Sequence, residues 1–184
     1  MSSRNALSRR TALLALTFGA SLGLAGCFTP LYGPTATGIG VEETLKKIDV
    51  GEIVVSGAGE EMAHALRSEL IFALDGARDR EIEKRYRLTA TVTASQSSPI
   101  VSTATGRALA STVTASARWR IEDIADERIV LDGQASASAS FDRVQQRFAT
   151  VRAQRDAELR AARQLSEQIS TRIAIDLRSG RMAP

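Results

Sequence analysis

The chain has 184 residues, of which 24 are Lys or Arg and 21 are Asp or Glu, with a single cysteine and a single histidine. The lone cysteine excludes an intramolecular disulfide. The formal net charge of +3 gives no case for a nucleic-acid-binding protein, which needs a clustered basic surface. Residues 1–26 hold three of the arginines and no acid, so from residue 27 onward 21 cations match 21 anions.

Residues 1–26 have the pattern of a bacterial lipoprotein signal peptide. A basic start is followed by an apolar run over residues 11–25, which is shorter than the roughly 20 apolar residues of a membrane-spanning helix. The run ends in LAGC, the spacing of a lipobox, which predicts lipidation of Cys27 and cleavage before it. Each buried acyl CH₂ contributes about 0.8 kcal/mol, so several acyl chains would anchor the chain firmly. The pair Arg9 and Arg10 leaves Sec and twin-arginine export both open.

The residues after the cysteine divide into a flexible tether over residues 27–41 and one domain over residues 42–184. Proline and glycine are dense in the tether, which disfavours regular structure. In the domain, alternation with a period of two predicts strands, and spacings of three and four predict helices. The predicted order is a strand over 48–55, a helix over 60–75, strands over 85–97, 107–121 and 128–142, and a helix over 148–178. This order predicts an α+β two-layer sandwich, in which a four-stranded, largely antiparallel sheet has two helices packed on one face.

The uncovered face of the predicted sheet is rich in Thr, Ser and Ala and poor in large side chains. A solvated face and a contact face explain this composition equally well. Motifs for catalysis are missing, and His64 is expected to be an exposed helix residue. The acidic residues of the 122–127 turn are expected to form a solvated loop. We therefore predict a non-enzymatic protein without a metal or cofactor.

Residues 27–33 of the tether read CFTPLYG, and residues 148–157 and 161–169 of the last helix form a second recognisable motif. Together they resemble the lipopolysaccharide-assembly lipoprotein family LptE in its alphaproteobacterial form. The tether residues match the family's C-G-F-x-P-L-Y-G start except for the missing glycine. Residues 148–157 and 161–169 are similar to the family's final helix, and Phe141 stands where the family usually has tyrosine. In the lipoproteins that this start resembles, an aspartate after the cysteine favours inner-membrane retention. Phe28 at that place therefore favours the outer membrane.

The resemblance implies an outer-membrane lipoprotein, anchored on the periplasmic side, that plugs the lumen of the LptD β-barrel and helps it assemble. It also implies contact with lipopolysaccharide, for which strand position and bidentate fit to phosphate suggest Arg118 and Arg120. The residues expected to meet the partner are Thr112, Thr114, Ser116, Ser136 and Ser138. Two alternatives remain open, namely an auxiliary lipoprotein of a lipid-transporting ABC system and a structural envelope lipoprotein.

Overall fold

The computed structural model describes residues 40–57, 60–76, 82–101, 106 and 108–181. The signal peptide, Cys27 and nearly all of the predicted tether lie outside the described residues. The elements in chain order are α1 Val41–Lys46, β1 Ile48–Ser56, α2 Glu60–Asp75, β2 Tyr86–Val101, β3 Ala108–Asp123, β4 Ile129–Asp142 and α3 Arg147–Arg178. The predicted α+β class is confirmed, with α1 as a third, short helix that the sequence analysis did not assign.

The four strands form one mixed sheet in the order β1-β2-β3-β4. Strand β1 runs parallel to β2, and the pairs β2–β3 and β3–β4 are antiparallel. A parallel pair needs a crossover connection, and α2 provides it between β1 and β2. The sheet is therefore largely antiparallel, as predicted.

The inner face of the sheet packs against the helices and forms the core. Every second residue is buried from Tyr86 to Ala94 in β2 and from Ser111 to Asp123 in β3, as a half-buried strand requires. Fully buried side chains come from the strands and from both long helices, and include Leu88, Ile121, Leu66, Leu70, Leu165, Ile169 and Ile173. Alanines fill much of the space between α3 and the middle of the sheet, including Ala115, Ala137, Ala157 and Ala161. Small side chains on both layers allow a close approach of the helix to the strands.

Strand β2 runs through Pro99, which the sequence analysis had placed in a loop. The register between β2 and β3 shifts between Ser97 and Ile100, so β2 carries a bulge there. Proline is tolerated in a strand at a bulge or at an edge, which explains the difference. At the sheet ends, the alternation of apolar residues places Leu109 and Ile129 on the buried face, but they are 50% and 52% exposed. Across the described ranges, no helix combines the length and the hydropathy needed to span a membrane.

Candidate partner-binding face

The outer face of the sheet carries a continuous surface of small hydroxyl side chains, which we call the hydroxyl face. Its nine residues are Thr93, Ser95, Ser97, Thr112, Thr114, Ser116, Ser136, Ser138 and Ser140. The strand registers align them in three rows of three, one from each of β2, β3 and β4. All are exposed except Thr112, which is half-buried. The five residues predicted to meet the partner therefore lie together.

Strand alternation produces this face from simple sequence repeats. In residues 135–140, ASASAS, each alanine turns towards the helices and each serine turns outwards. Thr112 and Ser140 lie opposite each other, and their hydroxyl oxygens are 2.9 Å apart in a hydrogen bond. Since a hydroxyl both donates and accepts, the face can form hydrogen bonds with many polar surfaces. Its short side chains leave another backbone free to come close.

The same face becomes charged towards the start of β2, and there the two predicted arginines differ. The Arg120 guanidinium contacts the Glu122 carboxylate at 2.9 Å and donates to the Thr89 hydroxyl at 3.3 Å. Arg118 is exposed and makes no hydrogen bond or ion pair with the described residues. Arg118 is therefore the arginine whose donors are available to an anionic ligand, whereas Arg120 would first have to leave an acidic neighbour.

Two open depressions flank Arg118 on the outer face. One, of about 440 Å³, also has Arg120, Glu52 and Asp132 in its lining. The other, of about 460 Å³, extends over Ser116 and Ser136 on the hydroxyl face. Both include Thr91 and Gln134, the cross-strand neighbours of Arg118. Arg118 thus lies at the junction between the charged part of the sheet and the hydroxyl face.

The remaining residues considered for chemistry are ordinary structural groups. His64 is exposed on α2, and within the described part of the chain no cluster of His, Cys, Asp or Glu could hold a metal ion. Asp126 and Glu127 are exposed, as expected for a solvated turn, but Asp123 is buried. The Ala125 backbone N–H at 3.0 Å and the Arg85 guanidinium at 3.2 Å hold the pKa of Asp123 below its ordinary value. Asp123 therefore stabilises the turn over residues 122–127 through these hydrogen bonds.

Side chains from the helices cover parts of β1 and β4 at the two sheet edges, an arrangement that the sequence pattern does not predict. On β4, Arg160 donates to the Ser140 carbonyl at 2.9 Å, and the Gln168 amide binds both the N–H and the carbonyl of Ser136. On β1, Arg67 donates to the Val50 carbonyl at 2.9 Å. Helical periodicity placed these residues off the core, but it gave no signal for contacts with a strand edge.

Fold and site together define an α+β sandwich domain with one sheet face left uncovered. Residues 45–173 match the model of the lipopolysaccharide-assembly family LptE. The match covers well over half of the chain, and the chain therefore belongs to the LptE family, a family of lipopolysaccharide-assembly lipoproteins without enzymatic activity.

The chain is similar to several solved structures. A chain from Caulobacter crescentus CB15 described as a lipoprotein is 24% identical with a TM-score of 0.56, covering 74% of this chain and 95% of that one. A minor lipoprotein from Acinetobacter baumannii is 14% identical with a TM-score of 0.47, covering 72% and 93%. The rare lipoprotein B from Shewanella oneidensis is 15% identical with a TM-score of 0.40, covering 68% and 99%. No curated protein matches the sequence.

Proposed function

We propose that this protein is an outer-membrane lipoprotein, anchored through Cys27, whose domain plugs the lumen of an LptD-type β-barrel and contacts lipopolysaccharide. Membership of the lipopolysaccharide-assembly family favours this function over the two alternatives raised by the sequence. The observation that carries the proposal is the hydroxyl face, which is continuous over three strands and free of charged side chains. A surface of this kind suits close contact with the polar inner wall of a barrel.

The positions of the start of β1 and of the hydroxyl face along the sheet support an anchored plug. The tether meets the described domain at Gly40, directly before α1, and β1 begins beside Tyr86, the first residue of β2. The hydroxyl rows begin seven residues further along β2, at Thr93, which corresponds to about 23 Å at 3.3 Å per residue. The start of β1 and the hydroxyl face therefore lie towards opposite ends of the sheet, and this arrangement would let a domain that is tethered before α1 project the face into a lumen.

Lipopolysaccharide contact is proposed at Arg118. Lipopolysaccharide carries phosphate groups, and a guanidinium binds phosphate with two parallel hydrogen bonds. The donors of Arg118 make no hydrogen bond with the described residues and lie between two depressions that could accept such a group. The ion pair with Glu122 makes Arg120 the weaker candidate.

The test adds volume to the hydroxyl face and measures recovery of the barrel. Thr114→Trp should strongly lower co-purification of the barrel with the tagged lipoprotein from outer-membrane extracts, because the indole would separate the two surfaces. Thr171→Trp, at an exposed position of α3, is the matched control and should leave recovery unchanged. Both variants should melt like the wild-type domain, since exposed substitutions usually change stability by less than about 0.5 kcal/mol. Equal recovery of the barrel with Thr114→Trp and wild type would contradict the proposed contact face.

A further inference from the structure

Strand β2 has an edge that β1 leaves open. Strand β1 pairs with β2 as far as Ser56 and Thr93, and then the chain turns at Gly57 towards α2. Strand β2 continues to Val101, and within the described ranges no strand pairs with it beyond Thr93 on the β1 side. We call residues 94–98 the open edge, since the bulge before Ile100 interrupts the regular strand after them.

Beyond Ala94, the backbone groups on the β1 side of the open edge can pair with another strand. A Cβ at Gly57 would collide with the Ala94 carbonyl oxygen, so this carbonyl is directed to the β1 side of the strand and lies against Gly57. Hydrogen-bonding direction alternates along a strand, so the N–H and carbonyl of Gln96 point to the same side. Substitutions at Gln96 can therefore change the outer edge without removing a hydrogen bond to β3.

The open edge also lacks the protection given to the other edges. Arg67 covers the bulged part of β1, while Arg160 and Gln168 cover β4. Among the described residues, no helix side chain binds the backbone of residues 94–98, and this stretch, ASQSS, contains no charge. Exposed edges normally carry charged side chains or bulges that prevent pairing with other chains. In β2 the bulge begins only after Ser97, at the end of the open edge, so it does not protect the residues before it.

We propose that the open edge accepts an extended, uncharged segment of the barrel partner as an additional strand in line with β1. The inference rests on the proposed function, because Ser95 and Ser97 belong both to the edge and to the hydroxyl face. A partner that covers this face also reaches the edge. The five edge residues span about 17 Å, the length of a common short strand. Main-chain hydrogen bonds would supply the affinity, as in other cases of strand addition.

The experiment uses the full-length lipidated protein, co-expressed with its barrel. A photo-crosslinking amino acid at Gln96 should capture the barrel, whereas the same group at Thr171 on α3 should not. Gln96→Pro removes the outward N–H and should lower barrel recovery by up to about tenfold, the effect of losing one good hydrogen bond. Gln96→Thr also loses the amide side chain but keeps the N–H, and recovery should stay within about twofold of wild type, because the strand ladder uses the backbone alone.

The outcomes separate this inference from the proposed function. In one outcome, Thr114→Trp blocks barrel recovery, Gln96→Pro does not, and the group at Gln96 gives no crosslink. This outcome would support the proposed plug function and refute the added strand. Crosslinks from Gln96 only to a second copy of the chain would overturn the inference in favour of self-association. If Gln96→Pro unfolds the domain, the crosslink at Gln96 decides alone, and its absence refutes the added strand.

Discussion

A methyl group added at Gly133 tests how the core is packed around the indole of Trp119. The two residues are paired across β3 and β4. A Cβ at Gly133 would lie 2.5 Å from Cζ2 and 2.9 Å from Cε2 of the indole, so something must move. Trp119 is only 2% exposed, and its Nε1 has no hydrogen-bond partner among the described residues. The indole is therefore held in place by packing and is almost completely shielded from solvent.

The size of the effect follows from two opposing contributions. Gly133 does not have a positive φ, so an alanine there would by itself stabilise by about 0.4–1 kcal/mol through the unfolded chain. Overpacking against a buried ring costs about 1–3 kcal/mol. We expect Gly133→Ala to lower the free energy of unfolding by about 1 kcal/mol, which corresponds to a fall in Tm of about 2–4 °C for a domain of this size.

The assay is thermal and denaturant unfolding of the unlipidated domain, carried out in two backgrounds. In Trp119→Leu, the atoms that Gly133→Ala meets are gone, and the same substitution should become neutral or stabilising by up to about 1 kcal/mol. This reversal of sign measures the contact through a double-mutant cycle. The same loss of stability in both backgrounds would show that the Trp119 indole does not lie over Gly133.

Three further predictions concern the anchor, the arginine and the turn. Cys27→Ala should leave the protein unlipidated and largely released from the outer membrane in cells without the barrel, and outer-membrane fractionation equal to that of wild type would refute lipidation at Cys27. Arg118→Ala should weaken binding of lipopolysaccharide by the purified domain more than Arg120→Ala does, because Glu122 already engages Arg120, and an equal or reversed ranking would remove Arg118 as the phosphate contact. The folded pKa of Asp123 lies below the unfolded value of about 3.9, so its contribution to stability is complete above that pH and is lost as the pH falls through the folded pKa. The Tm gap between wild type and Asp123→Asn should therefore be largest near pH 7 and close towards pH 2, and a gap independent of pH would contradict a charged Asp123 in the fold.

Much of the fold could be predicted from the sequence because its strands alternate so regularly. A period of two assigns each residue of β3 and β4 to one face, and a shift of one residue would expose the whole apolar set. The same period places Trp119 and Phe141 on the face towards the helices, and both are buried. The hydroxyl residues of β3 and β4 follow from the same alternation. Their neighbours on β2, including Ser97, could have been added by the same rule once the strand register was known.

Other features depend on contacts that periodicity does not encode. Helix α1 is only six residues long, and the glycines before it suggested a tether up to residue 41. The isolated propensity of so short a helix is weak, and Val41 and Leu45 are buried by tertiary packing instead. The difference between Arg118 and Arg120 likewise depends on a single ion pair along one strand. The open edge arises because β1 ends at Ser56, long before β2 ends.

The composition of the hydroxyl face cannot be explained by the needs of the fold. The inward alanines of β4 are required, because the helix layer packs on Ala137 and Ala139. The outward serines meet no such requirement, since an exposed strand position accepts most residues within about 0.5 kcal/mol. A chain with 24 Lys and Arg could easily have placed charges there, and charges would have protected the sheet from unwanted pairing. In the described part of the chain, nine uncharged hydroxyl side chains lie beside an edge that no helix side chain covers, and such a surface suits the close approach of another backbone.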